Sequence, residues 1–510
     1  MSREEVAVDV SARIGEVMAL DPAVPVVQYE GRWSTWGEVR AIAQALEERL
    51  AGVPRSTPIA LITRNRPGVV AAILGLLAAR RHCLTINGMH PDTAVLDELD
   101  HLRPATVIAC AEDWERAGLT ERVAQIGATG LRIGDDLSGV DEVVARPAGS
   151  PPPAAGEPGV AISLQTSGTT GPPKRIAMTY ANIDASVTGV LKHYGSPDQE
   201  PPAALRPGVA VQMLPLGHTS ALLALCVMAV EGRRMVLLDR FEPWAWATAV
   251  RDHKIAVSGM PPAAIRMVLD AKIPADWLTS LRAVRAGTAP LDQALADEFT
   301  RTYDIPVIQA YGATEFQGVA SWTLRDYKKF GSAKRGSVGR AHPGVDLRVV
   351  SPEDGTPLPV DTTGVLEVRS KQSAGARTDD WIRTSDLARI DADGFLFIEG
   401  RTDDVINRGG FKVDASEVAG VLTAHPGVGS AVVVGAPDRR LGAVPVALVT
   451  PSGEAELPSE DELRDWVRTR LEAYKVPVRV TAVPELPRNA TMKVGVREVL
   501  ELVGWGGERE

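Results

Sequence analysis

Residues 166–174 have the sequence Thr-Ser-Gly-Thr-Thr-Gly-Pro-Pro-Lys. This stretch combines small residues, hydroxyl groups and one cation, as a polyphosphate-binding loop requires. Glycines let backbone N–H groups approach phosphate oxygens closely, the hydroxyls add donors, and the lysine adds a positive charge. The residues predicted to bind phosphate are Thr166, Ser167, Gly168, Thr169, Thr170, Gly171 and Lys174.

The spacing of this loop differs from that of the Walker loop. A Walker loop has four residues between its glycines and a Ser or Thr after its lysine. Here only two residues separate Gly168 from Gly171, and Arg175 follows Lys174. Taken alone, a run of Gly, Ser, Thr and Pro also fits a surface linker. The rest of the chain decides between these interpretations.

Four more blocks follow the loop in order. They are Tyr311-Gly312-Ala313-Thr314-Glu315, Thr384-Ser385-Asp386, Gly400-Arg401-Thr402-Asp403-Asp404 and Leu486-Pro487-Arg488-Asn489-Ala490-Thr491-Met492-Lys493. Together the five blocks resemble the adenylate-forming superfamily, which comprises acyl-CoA synthetases, firefly-type luciferases and peptide-synthetase adenylation domains. The resemblance covers nearly the whole chain, from the segment 33–51 to Lys493. No single block would justify it.

Length and composition favour a large globular enzyme. The chain has 510 residues, 45% of them hydrophobic and 24% charged, enough for roughly three folding units. A net charge of −10 argues against a nucleic-acid partner. The most apolar runs, 69–79 and 221–230, are shorter than the roughly 18 residues of a membrane helix. The acidic start lacks the pattern of a secretory signal, so we expect a cytoplasmic protein with no membrane partner.

The cysteines predict neither a disulfide framework nor a zinc site. Only Cys83, Cys110 and Cys226 occur, without the spacing of metal ligands. If a thioester is made, its sulfur must therefore come from another molecule.

Short apolar runs alternate with helical patterns over most of the chain. Strands are predicted at 59–63, 106–109, 234–238 and 284–286, and helices at 33–50, 67–79 and 289–299. The first helix has Ser34 or Thr35 as a candidate cap, with Glu38 as a capping-box partner. This alternation predicts an α/β fold, with layered α/β subdomains in a large N-terminal domain.

The character of the sequence changes near Arg401. Beyond it lies a compact unit of about a hundred residues, with predicted strands at 431–435 and 446–450 and a helix at 460–472. We therefore expect an N-terminal adenylate- and acyl-binding domain over 1–400 and a small α+β domain over 401–510. The resemblance implies that the small domain is mobile and that the hinge lies near Asp403.

The chemistry implied by the resemblance brings two anions together. A carboxylate attacks the α-phosphate of ATP, and two unit charges about 4 Å apart repel by about 1 kcal/mol in water and severalfold more in a dry site. A cation must therefore be placed there in advance. By resemblance, Lys493 of the small domain bridges the carboxylate and the α-phosphate.

The remaining nucleotide contacts are also implied by the resemblance. Glu315 is the expected Mg²⁺ ligand, since this metal prefers oxygen donors, and Thr314 donates to the α-phosphate. Tyr311 stacks on adenine opposite the backbone of Gly287, Thr288 and Ala289, and Gly312 and Ala313 complete that block. Asp386 accepts hydrogen bonds from the ribose hydroxyls, and Arg401 donates to the same sugar.

A thiol replaces AMP in the second half-reaction. The resemblance implies that the small domain rotates between the steps and brings Gly410 and Lys412 to the pantetheine tunnel. Gly410 allows close backbone approach, and Lys412 meets a phosphate of coenzyme A. The chain ends soon after Lys493, so we expect the thiol acceptor to arrive in trans.

Gly217 and His218 mark the expected acyl pocket. Amino-acid-activating relatives place an aspartate early in this segment, whereas here these two residues are flanked by apolar ones. An acid without an α-amino group is favoured. Gly217, where relatives often carry an aromatic residue, suggests a roomy pocket, and His218 also fits a satisfied core residue.

Three positions depart from the family pattern. Arg175 and Ser385 replace glycines, and Tyr180 stands where histidine is common. The guanidinium of Arg175 adds a clamp for pyrophosphate, fills the pocket, or pairs with a neighbouring carboxylate. If it fills the pocket, the protein takes a preformed acyl-adenylate from a partner enzyme and performs only the thioester step.

The sequence therefore predicts an acid–thiol ligase that uses ATP, Mg²⁺ and coenzyme A on a hydrophobic carboxylic acid. The alternatives are the thioester-only enzyme and a ligase that loads a free-standing carrier protein. A catalytically silent protein of the same fold is disfavoured because Lys174, Glu315, Asp386 and Lys493 are all present. A luciferase-like activity, the identity of the acid and a homodimer, which is common in relatives, stay open.

Overall fold

A computed structural model describes residues 7–134, 136–147, 149–150, 156–166, 174–195, 202–375, 377, 379–402, 405–409, 411–453, 457–488 and 494–505. The described residues form two compact units. The first contains the chain up to Thr166, Lys174–Asp346 and Val368–Trp381, and the second contains Leu347–Glu367 and the chain from Ile382 onward.

The described helices are α1 (Val10–Met18), α2 (Trp36–Arg49), α3 (Pro67–Ala78), α4 (Asp92–Leu102), α5 (Ala111–Trp114), α6 (Leu119–Gln125), α7 (Tyr180–His193), α8 (Thr219–Val230), α9 (Pro243–His253), α10 (Pro262–Asp270), α11 (Gln293–Tyr303), α12 (Leu324–Phe330), α13 (Ala415–Thr423), α14 (Glu460–Arg468) and α15 (Val496–Leu502). Short 3-10 helices lie at Ala275–Leu278 and Ala473–Lys475.

The strands before the second unit are β1 (Pro25–Tyr29), β2 (Arg32–Thr35), β3 (Ile59–Thr63), β4 (Cys83–Asn87), β5 (Thr106–Cys110), β6 (Thr129–Ile133), β7 (Val140–Val144), β8 (Val160–Thr166), β9 (Lys174–Thr179), β10 (Val209–Gln212), β11 (Arg234–Leu237), β12 (Val257–Met260), β13 (Ala283–Ala286), β14 (Val307–Ala313), β15 (Gln317–Ser321) and β16 (Arg340–Ala341). The later strands are β17 (Val345–Val350), β18 (Gly364–Ser370), β19 (Ile382–Ile390), β20 (Leu396–Arg401), β21 (Val405–Arg408), β22 (Phe411–Asp414), β23 (Val428–Asp438), β24 (Gly442–Pro451) and β25 (Arg479–Ala482).

Three sheets organise the first unit. A seven-stranded sheet has the order β7-β6-β5-β3-β4-β8-β9, a five-stranded sheet has the order β12-β13-β14-β15-β16, and a four-stranded sheet has the order β10-β11-β1-β2. The centre of the large sheet is parallel, and β7 and β9 close its edges in antiparallel pairing.

The sequence of the central elements explains why they are buried. All five residues of β3 are buried, as expected for a parallel strand covered on both faces. Helix α3 begins with Pro67 at its first position and buries residues from Pro67 through Leu77. A helix that is apolar all round belongs in a core, and α3 lies in the largest one.

The second unit contains two sheets. One has the order β17-β18-β19-β20, and in the other β22-β21-β24-β23 are neighbours while β25 pairs with β24. Helix α13 and helix α14 pack over the second sheet through Val418, Leu422, Leu463 and Val467. The predicted α/β class is confirmed. The predicted boundary between residues 400 and 401 stays a prediction.

Two predicted helices begin later than expected. Helix α2 begins at Trp36, and Thr35 caps it in a capping box with Glu38, while residues 33–35 belong to β2. Helix α11 begins at Gln293 rather than Ala289, because Asp292 is its cap and accepts from the N–H of Ala294. In both cases the apolar periodicity typical of a helix continues on the N-terminal side of the capping residue.

Within the described part of the chain, no helix is long and apolar enough to cross a membrane.

Candidate active site

The carboxyl ends of β13 and β14 bring two predicted motifs together. Strands β12, β13 and β14 are parallel neighbours, so their carboxyl ends share one edge of the sheet. Gly287 follows β13 directly, and an added Cβ there would lie 3.7 Å from the carbonyl oxygen of Ala310 on β14. Thr288 has a positive φ of 69°. The structure therefore places residues 287–289 beside the segment 311–315.

The turn after β14 is held by backbone contacts. Gly312 has no room for a side chain, since a Cβ there would lie 2.1 Å from the carbonyl oxygen of Gln317. The N–H of Ala374 donates to the carbonyl oxygen of Glu315 over 2.8 Å. The side-chain amide of Gln372 donates to Phe316 and Gly318 carbonyl oxygens over 2.6 and 2.8 Å. These contacts fix the turn that carries Thr314 and Glu315.

Gln372 was not predicted from the sequence. The residue lies more than fifty positions beyond the turn that it supports, and nothing in one sequence connects the two. Its burial and its two bonds to the turn make it a positioning residue for the predicted catalytic segment.

Glu315 is exposed at this turn, while Thr314 and Tyr311 are half-buried. The rings of Tyr311 and Phe316 lie 6.0 Å apart. Among the described residues, no group of three or more His, Cys, Asp or Glu side chains could hold a metal. One accessible carboxylate fits Mg²⁺, which takes few protein carboxylates and completes its shell with phosphates and water.

Asp386 and Arg401 lie side by side in the second unit. They are cross-strand partners in β19 and β20, and Arg401 Nε is 3.7 Å from Asp386 Oδ1. Arg401 also donates to Ser385 Oγ over 2.6 Å. Ser385, where the family usually has glycine, is thus used to orient this guanidinium. The structure brings the predicted ribose ligands together as a pair.

The phosphate loop is described only at its ends. Thr166 and Lys174 are paired across β8 and β9, so the two ends lie side by side. Residues 167–173 lie outside the described residues, and with them Ser167, Gly168, Thr169, Thr170 and Gly171. Lys174 is exposed.

Arg175 pairs with a carboxylate. Its Nη1 donates to the carbonyl oxygens of Thr85 and Ser163 over 3.1 and 3.0 Å, and its Nη2 pairs with Glu98 of α4. Their side chains are 20% and 10% exposed. Burial lowers the pKa of Arg175 and raises the pKa of Glu98, and attraction between the two charges opposes both shifts. The third of the three predicted possibilities is the one observed.

Tyr180 also has a structural reason for departing from the family pattern. Its hydroxyl donates to the carbonyl oxygen of Arg81 over 2.8 Å, and the ring is buried beneath the guanidinium of Arg80. Burial raises the pKa of this phenol. Tyr180 therefore lies in the core of the first unit.

Gly217 and His218 lie at the start of α8. His218 is the N-cap, and its Nδ1 accepts from the N–H of Ser220 over 3.2 Å. A Cβ at Gly217 would lie 2.6 Å from Thr63 Oγ1. Close packing against β3 therefore requires this glycine, and the sequence did not predict this contact. The interpretation of a roomy pocket stays a prediction.

Of the residues predicted to act in the small domain, the structure describes Lys412. Lys412 is exposed on β22, next to Phe411, whose ring stacks on Tyr474 at 4.8 Å. Asp403, Gly410 and Lys493 lie outside the described residues. Their roles as hinge, tunnel backbone and catalytic cation stay predictions.

Comparison with known proteins agrees with this geometry. Residues 16–375 match the model of the AMP-binding enzyme family, and residues 417–493 match the AMP-binding enzyme C-terminal domain. The chain belongs to the AMP-binding enzyme family. The predicted resemblance to adenylate-forming enzymes is confirmed.

Two curated relatives carry ligase names. A probable CoA ligase, CCL5, of Humulus lupulus is 29% identical over 361 residues, 67% of this chain and 63% of that protein. A 4-coumarate–CoA ligase-like protein of Arabidopsis thaliana is 26% identical over 501 residues, 92% of this chain and 87% of that protein. These names agree with the predicted acid–thiol ligase class.

A solved structure supports the fold of the whole chain. ATP-bound MatB from Rhodopseudomonas palustris is similar with a TM-score of 0.80 and 24% identity, covering 97% of this chain and 98% of that one. The predicted fold of this chain, with a large N-terminal domain and a smaller C-terminal domain, is confirmed.

Proposed function

We propose that this AMP-binding enzyme is an acyl-CoA ligase. It joins a non-amino carboxylic acid with a mainly apolar body to AMP, releasing pyrophosphate, and then transfers the acyl group to coenzyme A, releasing AMP. The proposal is supported above all by the turn 311–315, which presents Thr314 and an accessible Glu315 beside the backbone of residues 287–289. The ligase names of the relatives agree with it.

The proposed roles follow the chemistry of the side chains. Tyr311 stacks on adenine, Asp386 accepts from the ribose hydroxyls, and Arg401 orients that carboxylate and donates to the sugar. Thr314 donates to the α-phosphate. Glu315 would hold Mg²⁺, which supplies charge neutralisation on the phosphate oxygens.

The phosphate loop and the small domain complete the proposal, in part through residues that lie outside the described ones. Lys493 neutralises the two approaching anions in the first half-reaction, and Lys174 with the loop 166–171 holds the departing phosphates. In the second half-reaction, Lys412 and Gly410 contact coenzyme A after the small domain has rotated about Asp403. Each of these roles rests on the family resemblance.

The Arg175–Glu98 pair supports retention of the adenylation step. A guanidinium engaged with Glu98 and two carbonyl oxygens is not available to fill a pyrophosphate pocket. We therefore favour the complete ligase over an enzyme that takes a preformed acyl-adenylate from a partner.

The test measures both half-reactions. Pyrophosphate exchange into ATP, dependent on acid and Mg²⁺, is expected for the wild type and for Arg175→Met, and Glu315→Gln is expected to lose most of it. Mass spectrometry then follows thioester formation with coenzyme A and, separately, with a phosphopantetheinylated carrier protein. Pyrophosphate exchange without formation of any thioester would reject the acyl-CoA ligase. Thioester formation from a supplied acyl-adenylate, without pyrophosphate exchange, would favour the thioester-only enzyme. A thioester formed only with the carrier protein would show that the carrier protein, and not coenzyme A, is the acceptor.

A further inference from the structure

Five polar and aromatic side chains form a cluster at Arg285 of β13, the strand that precedes residues 287–289. We call Arg285, Tyr194, Ser321, His342 and His193 the Arg285 cluster. The guanidinium of Arg285 lies 4.2 Å from the ring centroid of Tyr194, and the rings of His193 and His342 lie 4.4 Å apart. All five residues belong to the first unit.

Hydrogen bonds hold the other four members of the cluster. The hydroxyls of Tyr194 and Ser321 are bonded over 2.7 Å, and Ser321 Oγ is also 2.8 Å from His342 Nε2. His193 Nε2 lies 3.1 Å from the carbonyl oxygen of Ser321. The network therefore fixes the Tyr194 ring, and the ring in turn provides a flat surface for the guanidinium.

The cluster lies next to the proposed nucleotide site. Arg285 is the third residue of β13, two before Gly287, which places its Cα about 7 Å along the chain from that backbone. Arg285 is paired with Ile308, and Ala310 is paired with Ser321, so Arg285 and Ser321 share one face of the sheet. Arg285 and the backbone proposed to contact the nucleotide therefore belong to one strand and the turn that follows it.

The charge of Arg285 is not compensated by any described residue. It makes no ion pair there, and its Nε is buried without a hydrogen-bond partner, as are His342 Nδ1 and Thr288 Oγ1. The carboxylate of the nearby Asp326 pairs with Arg340 over 3.2 Å and accepts from the hydroxyl of Thr323 over 3.0 Å. Burying the Nε–H without a hydrogen-bond acceptor costs free energy, and a bound anion would offset that cost.

The two histidines do not compete for this anion. Burial lowers the pKa of His193, and it lowers the pKa of His342 to about 3, with the neighbouring positive charges adding to the shift. Both imidazoles are therefore neutral near pH 7. Arg285 is the cationic member of the cluster, and its Nε and Nη atoms offer the planar fork that fits a carboxylate.

We propose that Arg285 binds a second carboxylate on the acyl substrate, so that the acid is a dicarboxylate whose far end lies on the Arg285 cluster. This inference rests on the proposed function, because it assigns the substrate class of the same site. One carboxylate is activated, the apolar body spans the pocket, and the other is held by the guanidinium through charge-assisted bonds.

Binding measurements test this without turnover. Two stable acyl-sulfamoyl analogues of the adenylate are compared by calorimetry, one ending in a carboxylate and one in the matching carboxamide. The wild type is expected to bind the carboxylate about tenfold to hundredfold more tightly. Arg285→Met should abolish that difference, and Arg285→Lys should retain part of it. Arg282→Met, at an exposed position of the same segment, is the matched control and should behave as wild type.

Ligation assays separate failure of this inference from failure of the proposed function. Dicarboxylic acids from malonic to suberic are compared with their monomethyl esters, and kcat/KM for thioester formation is expected to favour a diacid in the wild type and a monoester in Arg285→Met. Equal binding of the two analogues, or wild-type preference for monoesters, would overturn the inference while leaving the ligase intact. No binding of either analogue and no ligation of any acid would reject both. Thermal unfolding verifies that each variant is folded.

Discussion

At the scale of single residues, the contact between Gly217 and Thr63 shows how packing limits the interpretation of a motif. A side chain at position 217 would lie 2.6 Å from Thr63 Oγ1, and that hydroxyl is itself buried and donates to the carbonyl oxygen of Ile86 over 3.0 Å. The hydroxyl cannot move away without losing this bond. Packing in the core of the first unit therefore requires glycine at position 217.

We expect Gly217→Ala to destabilise the protein by about 1–3 kcal/mol, because the added methyl group overpacks a buried site. Urea unfolding measures the change. Thr63→Ala removes the clashing oxygen, so the double variant should be more stable than additivity of the two single changes allows.

Gly420→Ala is the control, since nothing lies within 4 Å of a Cβ at that helical position; it should be neutral or slightly stabilising. If Gly217→Ala were as harmless as this control but changed the choice of acid, the glycine would serve the pocket rather than packing.

The Arg175–Glu98 pair makes a second prediction at this scale. Glu98→Gln keeps the shape but leaves the half-buried guanidinium without its counter-charge, which should cost about 2–3 kcal/mol of unfolding free energy. Denaturant midpoints at constant m-value report the change.

Two comparisons make this expectation sharp. Replacing both partners, as Glu98→Leu with Arg175→Met, should recover most of the loss because no charge is then buried. Glu501→Gln breaks an exposed pair whose side chains are 87% and 62% exposed and should change stability by less than about 0.5 kcal/mol. A loss at Glu98 no larger than at Glu501 would contradict the buried pair.

At the scale of elements, the sequence predicted what depends on neighbours along the chain. Strand β3 was predicted with its observed bounds, and the Thr35–Glu38 capping box was recognised because both partners lie within one turn. The starts of α2 and α11 were predicted too early, because apolar periodicity continues across a cap. The sequence could not show which strands pair.

Helix α7 makes a tertiary contact with the start of α1 that the sequence did not predict. Its Asp184 accepts from the N–H of Val10, and its Thr188 accepts from the N–H of Val8, each over 2.9 Å. These donors lie at the start of α1, where backbone N–H groups lack partners within the helix. One turn of α7 thus anchors the beginning of α1.

This contact predicts a pH dependence of stability. Burial raises the pKa of Asp184 to about 6, above its unfolded value of about 3.9. The folded state therefore binds the extra proton, and the stabilisation is complete below about pH 4 and is lost as the pH rises through 6. Asp184→Asn keeps an acceptor without the charge. At pH 7 it should gain about 1 kcal/mol, after allowance for partial exposure.

Urea titrations at pH 4.5 and at pH 7 measure the difference between wild type and variant, which should shrink at the lower pH. Asp141→Asn is the control, since Asp141 forms an exposed pair with Arg132 and should show no such trend. A gain at Asp184 that is the same at both pH values would contradict the raised pKa.

At the scale of the whole molecule, the residues of the candidate site fall into two groups. Some lie close together in the sequence, and the others have partners far along the chain. Tyr311, Thr314 and Glu315 lie in one short block and were predicted from the sequence, and Asp386 and Arg401 were predicted as ligands of the same ribose. Gln372 and the Arg285 cluster were not, because their partners lie far apart in the chain. Contacts between residues far apart in the chain depend on tertiary packing, which cannot be derived from a single sequence.

The proposed mechanism makes its last prediction at this scale, since it divides the two half-reactions between residues. Lys493 is expected to act only where a carboxylate meets the α-phosphate, and removing a preorganised cation costs about 100-fold or more in rate. Lys493→Ala should therefore lose acyl-adenylate formation by that factor. It should still convert a supplied acyl-adenylate and coenzyme A to thioester at near wild-type rate. Lys412→Ala is the matched opposite, with adenylation kept and the thioester step weakened. Rapid-quench assays of each half-reaction separate the two, and equal losses of both steps in Lys493→Ala would refute the assignment.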